Sequence, residues 1–143
     1  MTIKEVMELG TGWQLDFEIM RLLGYEKRRF RHYWGFYKDD KLCFKSRYDQ
    51  DKHYRYSKGM GVGDPPSIME WSLSSDNARR LPIPENMYWE LHIVGTICSA
   101  FLCDKTSETI FFSNVNEDGN LALAIVRTWL LYVYIFIQQG RDE

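Results

Sequence analysis

The feature that most constrains this fold is an apolar run near the C-terminus, over residues 121–137, interrupted mainly by Arg127 and Thr128. Asn116, Asp118 and Asn120 precede it, and such side chains accept hydrogen bonds from the free N–H groups at a helix start. The pattern therefore predicts a long C-terminal helix. A helix that is apolar on nearly all sides is either deeply buried or in a membrane, so the rest of the chain must supply a layer that covers it.

We favour burial in protein for this helix over burial in a membrane. A bilayer-spanning helix needs roughly 20 apolar residues, and the run is at the short edge of that length. Arg127 lies inside the run, at a cost of about 2.5–3.5 kcal/mol for a cation at the bilayer centre. The favoured interpretation is a helix on a sheet, with Arg127 reaching a carboxylate or solvent along its stem.

Length and charge limit the class of protein. At 143 residues, the chain is predicted to form one domain, residues 1–143, with a substantial core. Its net charge of −2 argues against nucleic-acid binding by bulk electrostatics. The charge is uneven, however, because residues 26–58 hold eleven basic and five acidic side chains.

The three cysteines, Cys43, Cys98 and Cys103, lie in apolar segments, as expected of buried thiols in a reducing compartment.

Periodicity and turn residues predict the order of the elements. Helices are expected over residues 2–9, 15–23 and 76–81, and strands over 30–38, 41–48, 87–94, 96–103 and 108–113. Asp39 and Asp40 would turn the first strand pair, and Gly24 would end the second helix. Residues 50–66, rich in glycine and ending in two prolines, predict a flexible loop.

Alternation along the first strand pair predicts two different faces. Phe30, His32, Trp34 and Phe36 would share a core face. The opposite face would be basic and aromatic, with Arg31, Tyr33 and Tyr37 on one strand and Lys45 and Arg47 on the other.

Three stretches of the chain together carry a family resemblance. They are residues 15–25 (LDFEIMRLLGY), residues 71–81 (WSLSSDNARRL) and residues 116–131, which include LALA and RTWL. In this order they resemble the phage ABA sandwich domain family. The resemblance covers most of the chain from Leu15 onward, and the order of the stretches carries it. It implies an α+β fold arranged as a three-layer α/β/α sandwich, with a mainly antiparallel sheet and N-terminal and long C-terminal helices. It also implies a phage or prophage origin and action in the host cytoplasm, and it brings no catalytic residues.

Other chemistries are less well supported by the residues. His32, His53 and His92 lack metal-ligand spacing, and a zinc site needs about four converging ligands. Cys103 with His92 and Asp104 is a poor nucleophilic set, because strand-borne apolar cysteines are usually inert. The GMGVG segment at 59–63 leads into two prolines, whereas a phosphate-binding loop leads into a helix. The sequence therefore predicts no enzyme, no metal and no cofactor.

The strongest candidate for a site is the basic aromatic face. Arginine offers a planar fork to phosphate and aromatic rings stack on bases, so an anionic ligand fits it. The candidate ligand-binding residues are Arg28, Arg29, Arg31, Tyr33, Tyr37, Lys45 and Arg47, with Arg79 and Arg80 near a helix start. A solvated strand face is the competing interpretation.

Two functional hypotheses follow. The first is a non-enzymatic binding protein that sequesters or blocks an anionic host ligand, namely a nucleotide signal, a nucleic acid or an acidic protein surface. The alternative is a structural module that forms a homo-oligomer through its apolar C-terminal helix. Neither involves a membrane.

Overall fold

The computed structural model describes residues 2–29, 34–45, 48–49, 53–54, 71–72, 74–106, 108–115 and 120–137. The chain separates into two compact units. The N-terminal unit is Gly12–Glu70, and the C-terminal unit combines Met1–Thr11 with Trp71–Glu143. The prediction of one domain over residues 1–143 stays a prediction.

Over its described residues, the N-terminal unit contains one helix and short antiparallel strands. Its elements are α2 (Trp13–Leu22), β1 (Glu26–Arg29), β2 (Trp34–Lys38), β3 (Lys41–Lys45), β4 (Tyr48–Asp49) and β5 (His53–Tyr54). Strands β1, β2 and β3 form one sheet in that order, and β4 pairs with β5. Strand β5 lies inside the predicted loop at 50–66, whose other residues fall outside the described ranges.

The predicted turn between β2 and β3 is confirmed. Lys38 pairs with Lys41, and Asp39 and Asp40 between them have φ values of 53° and 60°. Two consecutive positive φ values are typical of the two-residue turn that matches strand twist, and aspartate tolerates that conformation better than most residues. Gly24 ends α2 with φ of 96°, as predicted.

Helix α2 packs against the β1–β3 sheet through aromatic side chains. Phe17 contacts Phe36 of β2 edge-on, with ring centroids 5.1 Å apart. Both rings are buried, and Leu15, Ile19 and Met20 are fully buried on the same helix.

The C-terminal unit holds the second sheet and the long helix. Its elements are α1 (Ile3–Met7), α3 (Ser75–Ala78), β6 (Met87–Val94), β7 (Ile97–Asp104), β8 (Thr109–Val115) and α4 (Leu121–Leu131), which continues as a π-helical segment, Tyr132–Ile137. Strands β6, β7 and β8 form an antiparallel sheet in chain order. The register shifts at Leu102/Cys103, which leaves Ile110 as an extra residue on β8.

Helix α4 covers one face of the β6–β8 sheet. Cys98, Ala100 and Leu102 alternate along β7 and are completely buried. The Thr128 hydroxyl of α4 lies 2.9 Å from the Ala100 carbonyl oxygen and 3.0 Å from that of Ala124. The small alanine side chains let the helix backbone approach the central strand this closely, so the core of the unit lies between α4 and this face.

Three polar contacts fix the position of α4. Asn120 is its N-cap, accepting from the Leu123 N–H at 3.0 Å and donating to the Ser72 carbonyl at 3.3 Å. The Trp129 indole donates to the Pro82 carbonyl at 2.8 Å. Arg127 donates to the Leu9 carbonyl at 3.3 Å, where the sequence predicted a carboxylate or solvent.

The structure confirms the α+β class and the antiparallel strands, and it corrects several boundaries. Residues 30–33 of the predicted first strand lie outside the described residues, so β2 is described from Trp34, and β1 was not predicted at all. The middle helix ends at Ala78 instead of Leu81, and α1 is confined to Ile3–Met7. Within the described ranges, no helix is long and apolar enough to cross a membrane.

Candidate anion-binding surface

The register of β1 with β2 divides the predicted basic residues between two faces. Arg29 lies opposite Trp34 and Lys27 opposite Phe36, whereas Arg28 lies opposite Gly35. Residues paired directly across antiparallel strands share a face, and neighbours in one strand alternate. Arg28 and Arg29 therefore belong to different surfaces.

On the first of these faces, two cations lie against one indole ring. The Lys27 Nζ is 4.5 Å from the centroid of the Trp34 ring, and the Arg29 Cζ is 5.1 Å from it. Lys27 and Arg29 are exposed and Trp34 is half-buried. Cations at these distances are attracted to the ring face, so the indole fixes both positive charges within one small area. We call Lys27, Arg29 and Trp34 the cationic platform.

The helix α2 borders the cationic platform. Lys27 Nζ also lies 5.4 Å from the Phe17 ring centroid, and Phe17 covers Phe36, the next residue of β2 on this face. The helix therefore buries one end of the face and leaves the Trp34 end accessible. The Lys27 ammonium group therefore lies close to both rings, while Lys27 as a whole is exposed.

On the opposite face, Arg28 is already surrounded by acceptors. It donates to both Glu26 carboxylate oxygens at 3.1 and 3.2 Å and to Asp40 Oδ1 at 2.7 Å, and its guanidinium lies 4.4 Å from the Tyr37 centroid. The hydrogen bond to Glu26, followed by that to Asp40, raises the pKa of Arg28 further above its ordinary value. Two carboxylates therefore compensate the charge of Arg28.

The remaining predicted site residues are distributed as follows. Tyr37 and Lys45 share the face of Arg28, because Lys45 pairs with Gly35. Arg31, Tyr33 and Arg47 lie outside the described residues. Arg79 and Arg80 follow α3 in the C-terminal unit, where Arg79 forms an ion pair with Asp76.

The candidate residues did not include two members of the cationic platform, Trp34 and Lys27. Trp34 was predicted to share a core face with Phe36, and the register places the two on one face. The missing signal was β1 itself: once Glu26–Arg29 is recognised as a strand, alternation places Lys27 and Arg29 together. Four consecutive charged residues have no apolar periodicity that would reveal a strand.

The chemistry of the cationic platform is that of binding. An indole face stacks on a planar ring, the Arg29 guanidinium offers a fork of donors to phosphate or carboxylate, and the Lys27 ammonium adds a compact charge.

Elsewhere, Cys103 is completely buried, with Sγ 3.7 Å from Glu90 Oε2 and 3.8 Å from Thr109 Oγ1. Within the described residues, no group of three or more His, Cys, Asp or Glu side chains is placed to hold a metal ion.

No family model matches this chain, and no curated protein or solved structure gives a significant match.

Proposed function

We propose that this protein is a small non-enzymatic binding protein that takes an anionic ligand on the cationic platform. The observation that supports this is the placement of Lys27 and Arg29 over one Trp34 ring. The ligand class that best fits a ring beside two cations is a nucleotide or a short single strand, with an acidic protein surface as the other anionic partner.

The electrostatic setting of the platform favours an anion. Lys27 and Arg29 lie on the same face of β1, paired with Phe36 and Trp34 of β2. Two unit charges beside one half-buried ring attract a phosphate or carboxylate at short range, although salt screens the attraction. The ring adds a stacking surface that does not depend on base identity.

The biological setting belongs to the same proposal. A phage-encoded protein in the host cytoplasm would use this surface to sequester a nucleotide signal or to block a host macromolecule. The three-layer α/β/α arrangement of the resembled phage family is likewise proposed for the whole chain. Two of the layers are represented in each unit, by α2 on one face of β1–β3 and by α4 on one face of β6–β8. The second helical layer is the part that remains a proposal, and an experimental structure of the whole chain tests it.

Binding measurements with charge-reversed variants test the platform. A fluorescent oligothymidylate, a purine nucleotide and polyglutamate serve as probes in polarisation or calorimetric titrations. The variant Lys27→Glu/Arg29→Glu is expected to weaken binding of the preferred probe by at least about tenfold, since each phosphate contact carries a large electrostatic share. Trp34→Leu is expected to weaken the oligothymidylate and the nucleotide more than polyglutamate, because only the first two stack.

The matched control reverses two charges in the C-terminal unit. Lys4→Glu/Lys105→Glu makes the same change in net charge at two exposed positions. This control is expected to bind like the wild type. Equal losses in both double variants would mean that bulk charge, and not the platform, drives binding, and a wild type that binds none of the three probes would refute the proposal.

The alternative, a homo-oligomer through the C-terminal helix, meets a physical difficulty. Nearly all described residues of α4 are buried within the chain, including Leu123, Ile125 and Leu130. Of the described residues in the π-helical segment, Ile135 is 37% exposed. The helix therefore has little apolar surface left for a partner, whereas the sheet that it covers has another face.

A further inference from the structure

The β6–β8 sheet exposes the face that α4 does not cover. By register, Glu90, Phe101 and Phe112 form one row across the three strands, and His92, Ser99 and Asn114 form the next. Phe101 and Phe112 stack with centroids 5.8 Å apart and an interplanar angle of 19°, and His92 meets Phe101 edge-on at 5.3 Å. We call these two rows the open face.

The open face continues into apolar surface at both ends. Tyr88 lies on the same side beyond the first row, and Val94 and Ile97 pair with each other at the other end. Tyr88 is 40% exposed, Val94 74%, Ile97 43% and Phe112 55%. Taking about 150–250 Å² for a large side chain, these four expose on the order of 400 Å² of largely apolar surface, which is in the range where patches on soluble proteins are often functional.

The charge pattern indicates what covers this face. Strands β6, β7 and β8 contain no lysine and no arginine, and Glu90 and Asp104 are their acidic residues. A polyanion such as a nucleic acid would meet the Glu90 carboxylate with no cation from these strands to balance its phosphates. A nearly neutral, apolar and flat partner fits better, and the surface of a second copy has these properties.

We propose that the open face is the contact between two copies of this chain in a two-fold dimer. A two-fold contact brings the same patch of both subunits together. We place the two-fold axis in the plane of the contact, perpendicular to the strands and midway between the two rows. Glu90 then lies opposite His92 of the second copy. Within one chain, Glu90 Oε1 already lies 3.1 Å from His92 Nε2. Phe101 then lies over Ser99 of the second copy, and the strands run nearly antiparallel, as in aligned sheet packing.

The size of the open face determines how tightly two copies are expected to associate. A stable interface buries about 800 Å² on each partner. The surface area exposed by the apolar residues and by the polar members of the two rows approaches that size without exceeding it. The dimer is therefore expected to dissociate in the micromolar range, and it does not depend on the cationic platform.

Sedimentation velocity and light scattering, over protein concentrations from about 1 μM to about 1 mM, test the dimer. The wild type is expected to shift from monomer to dimer within this range. Phe112→Asp and Phe112→Lys are each expected to raise the dissociation constant at least about tenfold, because an exposed aromatic side chain of the contact is replaced by a charge that the dimer would bury. Far-UV circular dichroism and thermal unfolding are expected to show that both variants fold, because the Phe112 side chain is more than half exposed.

The matched control is Lys105→Gln, which makes the same change in net charge as Phe112→Asp in an exposed turn outside the face. It is expected to dimerise like the wild type, as is Lys27→Glu/Arg29→Glu. A wild type that stays monomeric throughout the range overturns the proposal, even if the face is then found to bind a basic peptide or an oligonucleotide. Undiminished dimerisation of both folded Phe112 variants overturns it too, whatever the outcome of the anion titrations.

Discussion

At the scale of single residues, Arg28 and Arg29 have different roles although they are adjacent in β1. Glu26 and Asp40 accept hydrogen bonds from Arg28, whereas the Arg29 guanidinium lies 5.1 Å from the Trp34 ring centroid. A list of basic residues treats the two alike. Strand alternation separates them, because Arg28 pairs with Gly35 and Arg29 with Trp34, so each belongs to a different face of the sheet.

Asp104 is the carboxylate for which the structure predicts a clear pH effect. It accepts hydrogen bonds from the Thr106 hydroxyl at 2.6 Å, from the Thr106 N–H at 3.0 Å and from the Glu108 N–H at 3.2 Å. The Thr106 hydroxyl is the main cause that lowers the pKa of Asp104 below its ordinary value. Because the folded pKa lies below the unfolded one, the ionised carboxylate stabilises the folded state above the unfolded pKa. That contribution is lost as the pH falls through the folded pKa.

We therefore expect acid to lower the thermal unfolding midpoint less in Asp104→Asn than in the wild type. The difference should develop below about pH 4, near the pKa of an unperturbed aspartate. Thr106→Val should behave like Asp104→Asn to a smaller degree, since two N–H donors remain. Lys105→Gln, which changes the same turn without removing a bond to Asp104, should keep the wild-type pH dependence. A Thr106→Val profile identical to that of the wild type would contradict this account.

At the scale of elements, local signals predicted much of the fold. The β2–β3 turn is confirmed because its chemistry lies in two residues, Asp39 and Asp40. The strands of the second sheet fall within two residues of their predicted ends, and α4 begins directly after Asn120, as its capping side chain indicated. In each case, the determinant is an alternation or a cap that a short window of sequence contains.

Pairing between strands determined the element that sequence patterns did not predict, strand β1. Strand β1 consists of Glu-Lys-Arg-Arg, which has low strand propensity and no apolar alternation. It forms because β2 offers it an edge, and the aromatic rings of Trp34 and Tyr37 then contact the charged groups of Lys27 and Arg28. The cationic platform depends on that pairing, so a prediction that missed the strand also missed Lys27 and Trp34 as members of the site.

The N-cap of α4 provides a stability prediction for this element. Asn120 both accepts from the helix and donates to Ser72. Asn120→Ala removes both bonds and is expected to lower the free energy of unfolding by about 1–2 kcal/mol, measured by urea denaturation. Asn120→Asp preserves the cap acceptor and loses the donor to Ser72, so it should lower the free energy of unfolding by less than Asn120→Ala does. An alanine variant as stable as the wild type would mean that the cap does not limit the stability of the helix.

At the scale of the whole molecule, the two proposed surfaces differ in physical character and lie on different units. The cationic platform belongs to the N-terminal unit and attracts by charge. The open face belongs to the C-terminal unit, whose strands carry no lysine or arginine, and it associates by burying apolar area. This division agrees with the uneven charge of the chain, in which residues 26–58 are basic while the total is slightly negative.

The last prediction follows from that difference and concerns salt. Binding of a single strand to two cations should weaken with salt, with a slope of log affinity against log salt of about −1.4, because each neutralised phosphate contributes about −0.7. In Lys27→Glu/Arg29→Glu the slope should approach zero. Dimerisation should change little with sodium chloride, and sulfate should strengthen it, because excluded salts favour burial of apolar surface. Dimerisation that weakens with salt as steeply as oligothymidylate binding would show that charge, and not the aromatic rows of β7 and β8, holds the two copies together.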